Sequence, residues 1–105
     1  MRIFNIDYKD VDQIIISTEF YDEYYYKITD PEEIKEFVEG LNQVHYYFSY
    51  STILQFTGRC FMSTNIWIVS GNQYYRYGFN DHKILIDDIN FYCKSDFLEN
   101  LYSSL

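Results

Sequence analysis

A chain of 105 residues can bury roughly 65% of its unfolded surface around one core, so neither a disulfide nor a metal is needed to hold it together. Its net charge of −8 repels nucleic-acid phosphates and favours basic protein surfaces. No apolar stretch approaches the length of about 20 residues that a spanning helix requires, and Asp7, Lys9 and Asp10 interrupt the amino terminus before a signal-like run can form; a cytoplasmic protein with no membrane contact is expected.

The first apolar segment, Arg2 to Tyr8, brings together Ile3, Phe4, Ile6 and Tyr8 as a short strand, with Lys9-Asp10 as its turn. Asp12 to Phe20 follows, and Ile14, Ile15 and Ile16 in succession give it the β-branched density of a well-covered strand. Tyr21-Asp22-Glu23 breaks the apolar pattern and Tyr24 to Thr29 resumes it, which reads as a hairpin. Its second arm runs directly into the clearest helix of the chain. Asp30 is placed to cap that helix, Pro31 fits its first position, Glu33 stands at capping-box distance, and Ile34, Phe37, Val38 and Leu41 recur at i, i+3, i+4 and i+7. Its span is predicted as 30–42, with Gly40 near the end and Asn42 as a left-handed exit.

Past the helix, Val44, Tyr46, Phe48 and Tyr50 alternate with His45, Tyr47 and Ser49, the pattern of a half-buried strand. Ser51 to Gly58 is ambiguous, Ile53, Leu54 and Phe56 fitting either a short helical turn or a loop folded over the core, and it is assigned to neither. Arg59 to Thr64 and Asn65 to Ser70 form the most apolar region, and Gly71-Asn72 suits a tight hairpin turn. Gln73 to Phe79 returns with Tyr75, Tyr77 and Phe79 on one face and Tyr74 and Arg76 on the other. A turn at Asn80-Asp81 leads to a strand over Lys83 to Ile89. Ser95 then caps a last helix, 95–103, with Leu98, Leu101, Tyr102 and Leu105 on its apolar side. The expected architecture is one α+β domain over 1–105: an antiparallel sheet of about five to seven strands, with both helices on one face and the other face open.

Charge is zoned along this architecture. From Met1 to Glu39 there are eleven acids against four bases; from Gly40 to Asn80 there is no acid at all, only Arg59 and Arg76. The thirteen tyrosines and nine phenylalanines exceed what a core of this size hides easily, and they cluster as Tyr24-Tyr25-Tyr26, Tyr46-Tyr47 and Tyr74-Tyr75. Alternation sends one ring of each cluster away from the helices and nominates Tyr25, Tyr47 and Tyr74, with Trp67 as neighbour. Tyr and Trp give a large contact area at low entropic cost and are enriched in interfaces, although Tyr is also an ordinary strand residue with its hydroxyl in water. The candidate partner-binding residues are therefore Asp22, Glu23, Tyr25, Tyr47, Trp67, Tyr74 and Arg76.

Catalytic chemistry finds little purchase. Adjacent pairs such as Asp87-Asp88 and Glu32-Glu33 diverge on a strand or a helix and make no carboxylate dyad by themselves. Cys60 and Cys93 lack a Cys-x-x-Cys or any His at ligand spacing, and His45 and His82 are isolated; no metal, cofactor or catalytic residue is assigned. A Cys-His enzyme is kept as an alternative.

The Ile-Thr-Asp-Pro-Glu-Glu-Ile segment resembles the strand-to-helix junction of many small bacterial α+β proteins. By size, acidity and aromatic content, the whole chain resembles the immunity proteins of contact-dependent growth inhibition and related polymorphic toxin systems. That resemblance implies a non-catalytic protein that neutralises a cognate toxin domain, often a basic nuclease, by binding it; it carries over no residue. A phage-type inhibitor of a host nuclease is the alternative within the same mechanical class.

Overall fold

Three consecutive isoleucines occupy an inner strand of the sheet, one place in from its edge. The computed structural model describes residues 4–18, 23–45, 64–86 and 89–105. Strand β1 (Gln13–Ser17) lies between β2 (Tyr24–Ile28) and β3 (Asn65–Ser70), antiparallel to both, and Ile14, Ile15 and Ile16 are all buried. The sheet continues through β4 (Gln73–Phe79), β5 (Lys83–Ile86) and β6 (Ile89–Tyr92) in the order β2-β1-β3-β4-β5-β6, every neighbour antiparallel. The architecture is the expected α+β one, with six strands and two helices among the described residues.

Helix α1 (Pro31–Asn42) begins as its sequence dictates. The Asp30 carboxylate accepts from the Glu33 amide at 3.3 Å, Pro31 occupies the first turn, and Ile34, Phe37, Val38 and Leu41 are buried. Helix α2 (Asp96–Ser103) is capped by the Ser95 hydroxyl on the Leu98 amide and buries Leu98 and Leu101. Tyr102 and Leu105, expected on its apolar side, are exposed instead. Both helices join one core with Ile14 and Ile16 of β1, Ile66 and Ile68 of β3, Phe79 and Ile84, so they cover the same face. No described helix is long and apolar enough to cross a membrane.

The helices meet at Gly40. A Cβ there would stand 2.6 Å from a ring carbon of Phe97, whose ring packs edge-on against Phe37 with centroids 5.1 Å apart. Gly40 therefore lies inside α1 to admit α2, and the helix ends in a right-handed Gln43 rather than a left-handed Asn42. Alanine ordinarily stabilises a helix interior over glycine by about 1 kcal/mol. At Gly40 the overlap with an aromatic ring reverses the sign, and Gly40→Ala is expected to lower the urea midpoint by the equivalent of about 1 kcal/mol or more. A midpoint that rises instead would mean that the Phe97 ring yields freely.

Three further expectations, about the strands and the faces of the sheet, need correction. Phe4 to Asp7 forms no strand, and Tyr8–Asp10 is a 3-10 turn capped by the Asp7 carboxylate. The Asn42 side chain takes the place of a neighbouring strand, accepting from the Ile6 amide at 3.0 Å and donating to the Ile6 carbonyl at 2.8 Å. The strand expected over Lys83 to Ile89 ends at Ile86, and Ile89–Tyr92 returns as β6. The second face of the sheet is not uniformly open, since Ile15, Ser17, Asn65 and Trp67 on it are buried. The strand expected over Val44 to Tyr50, apart from Val44 and His45, the unassigned Ser51 to Gly58 and the segment from Arg59 to Ser63 lie outside the described residues.

Candidate functional site

Asp7, Asp10 and Asp12 and the glutamates of α1 come from two segments that pack together. The 3-10 turn packs against α1, and Lys35 of the helix sets its ammonium 5.5 Å from the centre of the Tyr8 ring. Glu32, Glu33, Glu36 and Glu39 stand exposed along the outer side of α1 because the buried stripe occupies the inner one. Asp7, Asp10 and Asp12 continue the acidic surface around an open cleft of about 650 Å³ between the 3-10 turn and the β3–β4 turn. Ile68, Tyr75 and Tyr77 line its wall.

Two of these carboxylates are held by backbone. Asp7 accepts from the Lys9 amide at 3.0 Å, and Asp12 accepts from the amide of Gly71. Gly71 makes the β3–β4 turn with φ at +59°, a conformation that suits glycine, and the turn brings its N–H across to Asp12. Among the described residues the only salt bridge is His82 to Asp81 at 2.6 Å, so none of these carboxylates is held in an ion pair with a lysine or arginine. Lys27, Lys35 and Lys83 lie over the rings of Tyr24, Tyr8 and Tyr92 instead.

The second face of the sheet gathers Trp67, Tyr74 and Arg76. Trp67 is opposite Ile15 on one side and Arg76 on the other, while Tyr74 is opposite Val69. The guanidinium of Arg76 lies 5.5 Å from the Trp67 ring centre, and the Tyr74 and Trp67 rings are 5.5 Å apart at 52°. Trp67 is only 7% exposed, so it is an interior residue of this face, whereas Tyr74 is 64% exposed.

Tyr25 is not with them. The β1–β2 register shifts between Ile16 and Ser17, pairing Ser17 with Tyr24 and leaving Tyr25 as the extra residue of a bulge. Tyr25 instead lines a cleft with Thr64, Tyr102 and Leu105 of the helix side, and Tyr24 takes the second face beside Lys27. Glu23 is exposed next to the bulge, its carbonyl accepting from the amide and hydroxyl of Thr18 at 3.0 and 2.9 Å. Asp22 and Tyr47 lie outside the described residues. The residues that sequence reasoning passed over are Asp7, Asp10, Asp12 and Tyr75 of the cleft and Asn65 beneath Arg76. Acidity flagged the first three as a zone, but only the long-range approach of the Gly71 turn makes them the rim of one cleft.

The thiol of Cys93 shows the opposite of nucleophile activation. It is buried, its Sγ donates to the Phe91 carbonyl at 3.3 Å, and burial pushes its pKa up from the ordinary 9 to about 12, against a smaller lowering by a backbone hydrogen bond at Ile84. The imidazole of His82 engages Asp81 in solvent, and His45 is exposed. Cys60 lies outside the described residues. Because the folded-state pKa is the higher one, the contribution of Cys93 to stability is whole below about pH 9 and is lost as pH rises towards 12. In a Cys60→Ser background, alkylation at neutral pH is expected to be slow in the folded protein and fast only after unfolding. Rapid labelling of the folded form would restore Cys93 as a nucleophile.

Among the described residues no group of three or more His, Cys, Asp or Glu side chains stands close enough together to hold a metal ion. Comparison with protein-family models, with curated proteins and with solved structures finds no match to this chain.

Proposed function

We propose that this chain is a non-catalytic binding protein that neutralises a cognate basic protein, a toxin or nuclease domain of the polymorphic kind, by forming a tight complex with it in the bacterial cytoplasm. The observation that carries the reading is the excess of exposed carboxylates on the 3-10 turn, the cleft rim and the outer side of α1, none of them in a lysine or arginine salt bridge among the described residues. A net excess of carboxylates raises the local concentration of a basic partner and orients its approach. Two carboxylates pinned by backbone amides, beside Tyr75 and Tyr77, offer a basic side chain both charge and an aromatic wall. Neutralisation then follows from occupancy: a partner whose active site is covered has no access to its substrate.

The test is co-purification of the chain with the product of an adjacent gene, followed by assay of that product alone and in complex. A basic toxin whose activity disappears stoichiometrically on complex formation is the expected result. Recovery of an acidic partner, or of a basic one whose activity is unchanged in the complex, would overturn the proposal.

A further inference from the structure

We propose that the second face of the sheet carries a carboxylate-recognition site for a protein partner, anchored by the Arg76 guanidinium; this rests on the reading that the chain acts by binding a protein. Arg76 is exposed, yet its head group is fixed on two sides. Its Nε donates to Oδ1 of Asn65 at 2.9 Å, and the guanidinium lies against the Trp67 ring. Both supports are held in turn from beneath. Asn65 is 1% exposed, and its Nδ2 donates to the Thr18 carbonyl at 2.8 Å, which turns the amide oxygen towards Arg76. Trp67 donates through Nε1 to the hydroxyl of Ser17, a residue with no exposure, and that hydroxyl donates onward to the Thr18 carbonyl at 2.8 Å.

Burying an asparagine and a serine is unfavourable unless their polar atoms are partnered. Here both sets of hydrogen bonds converge on the two groups that orient one guanidinium. A fork held in this way loses little further freedom on binding, and with Nε engaged its Nη donors remain available for a planar, bidentate acceptor. A carboxylate fits that geometry.

Charge complementarity selects a protein as its bearer. Among the described residues no carboxylate forms a salt bridge with Arg76, while the net charge of −8 disfavours a nucleic acid at the same place. Tyr74, exposed beside Trp67, supplies the neighbouring aromatic contact that a protein surface can fill. The partner is then basic where it faces α1 and carries an aspartate or glutamate where it faces Arg76.

Panning a random linear peptide library on the full chain, and on its Arg76→Gln and Arg76→Lys variants, tests the site. Trp67 is the sole tryptophan, so its fluorescence reports both binding at this face and the integrity of each variant. A class of peptides carrying Asp or Glu is expected, with Kd weakened about tenfold or more by both substitutions, because the lysine point charge cannot replace the fork. Should Arg76→Gln disturb the fold, Arg76→Lys gives the same readout. Acidic peptides that bind Arg76→Lys as tightly as the parent would overturn the site. So would recovery of Lys- and Arg-rich peptides alone, a result that leaves the acidic surface standing. Acidic peptides alone, dependent on Arg76, would uphold this site and count against the acidic surface.

Discussion

Phe37→Ala is expected to destabilise the protein by about 3 to 5 kcal/mol and to lower Tm by roughly 15 to 30 °C. The ring is 7% exposed and edge-on to Phe97, so it belongs at once to the α1 stripe on the sheet and to the contact between the two helices. Truncation leaves a void that neither neighbour can easily fill: Gly40 offers no side chain and the Phe97 ring is already against its backbone. The informative comparison is Tyr74→Ala, which removes a ring 64% exposed and is expected to move Tm by only a few degrees. If Tyr74→Ala destabilises the protein as much as Phe37→Ala, the Tyr74 ring serves to cover Trp67 and is no anchor for a partner. Thermal scans of the two variants by circular dichroism separate these outcomes.

How far the sequence reaches is clear from particular residues. The α1 cap and stripe were legible because Asp30, Pro31 and the Ile34-Phe37-Val38-Leu41 spacing all act within one helix, where local geometry decides. The β3–β4 hairpin was legible for the same reason, its strands being joined by Gly71-Asn72. What alternation could not reveal was the bulge at Tyr25: one extra residue inverts the side assignment for Tyr24 and Tyr25 and restores it at Tyr26. Nor could it reveal that the Ile6 backbone finds its partner in a side chain 36 positions away, which turned an expected strand into an extended segment and a 3-10 turn. Charge zoning placed the acids near one another but not the cleft, since Asp12 meets Gly71 only through the closure of β1 on β3. Alternation puts Trp67 on the face of Tyr74 and Arg76, yet it does not tell that the indole is buried there with the guanidinium and the Tyr74 ring beside it.

The second large effect concerns association rate. The triple variant Asp7→Asn, Asp10→Asn, Asp12→Asn removes three of the eight net negative charges while keeping a carbonyl oxygen in each side chain for the Lys9 and Gly71 amides. The fold is therefore expected to persist with little change in Tm. Binding to the basic partner should slow by roughly tenfold in kon at low ionic strength, because steering depends on the summed field of the surface. Raising the salt shortens the screening length to about 3 Å at 1 M, and the parent and variant rates should then converge. The exposed acids of α1 provide the control. Glu32→Gln, Glu36→Gln, Glu39→Gln removes the same charge from the same surface but leaves the cleft intact. If the surface acts only as a field, the two triple variants lose the same fraction of kon and little in koff. If the cleft grips a basic side chain, the aspartate variant alone also gains in koff, and that excess survives high salt because a short charged hydrogen bond in a partly enclosed site is screened far less than a distant attraction. Stopped-flow measurement of both rates across a salt series distinguishes these cases, and rates identical to the parent for both variants at low salt would show that the acidic surface has no part in recognition.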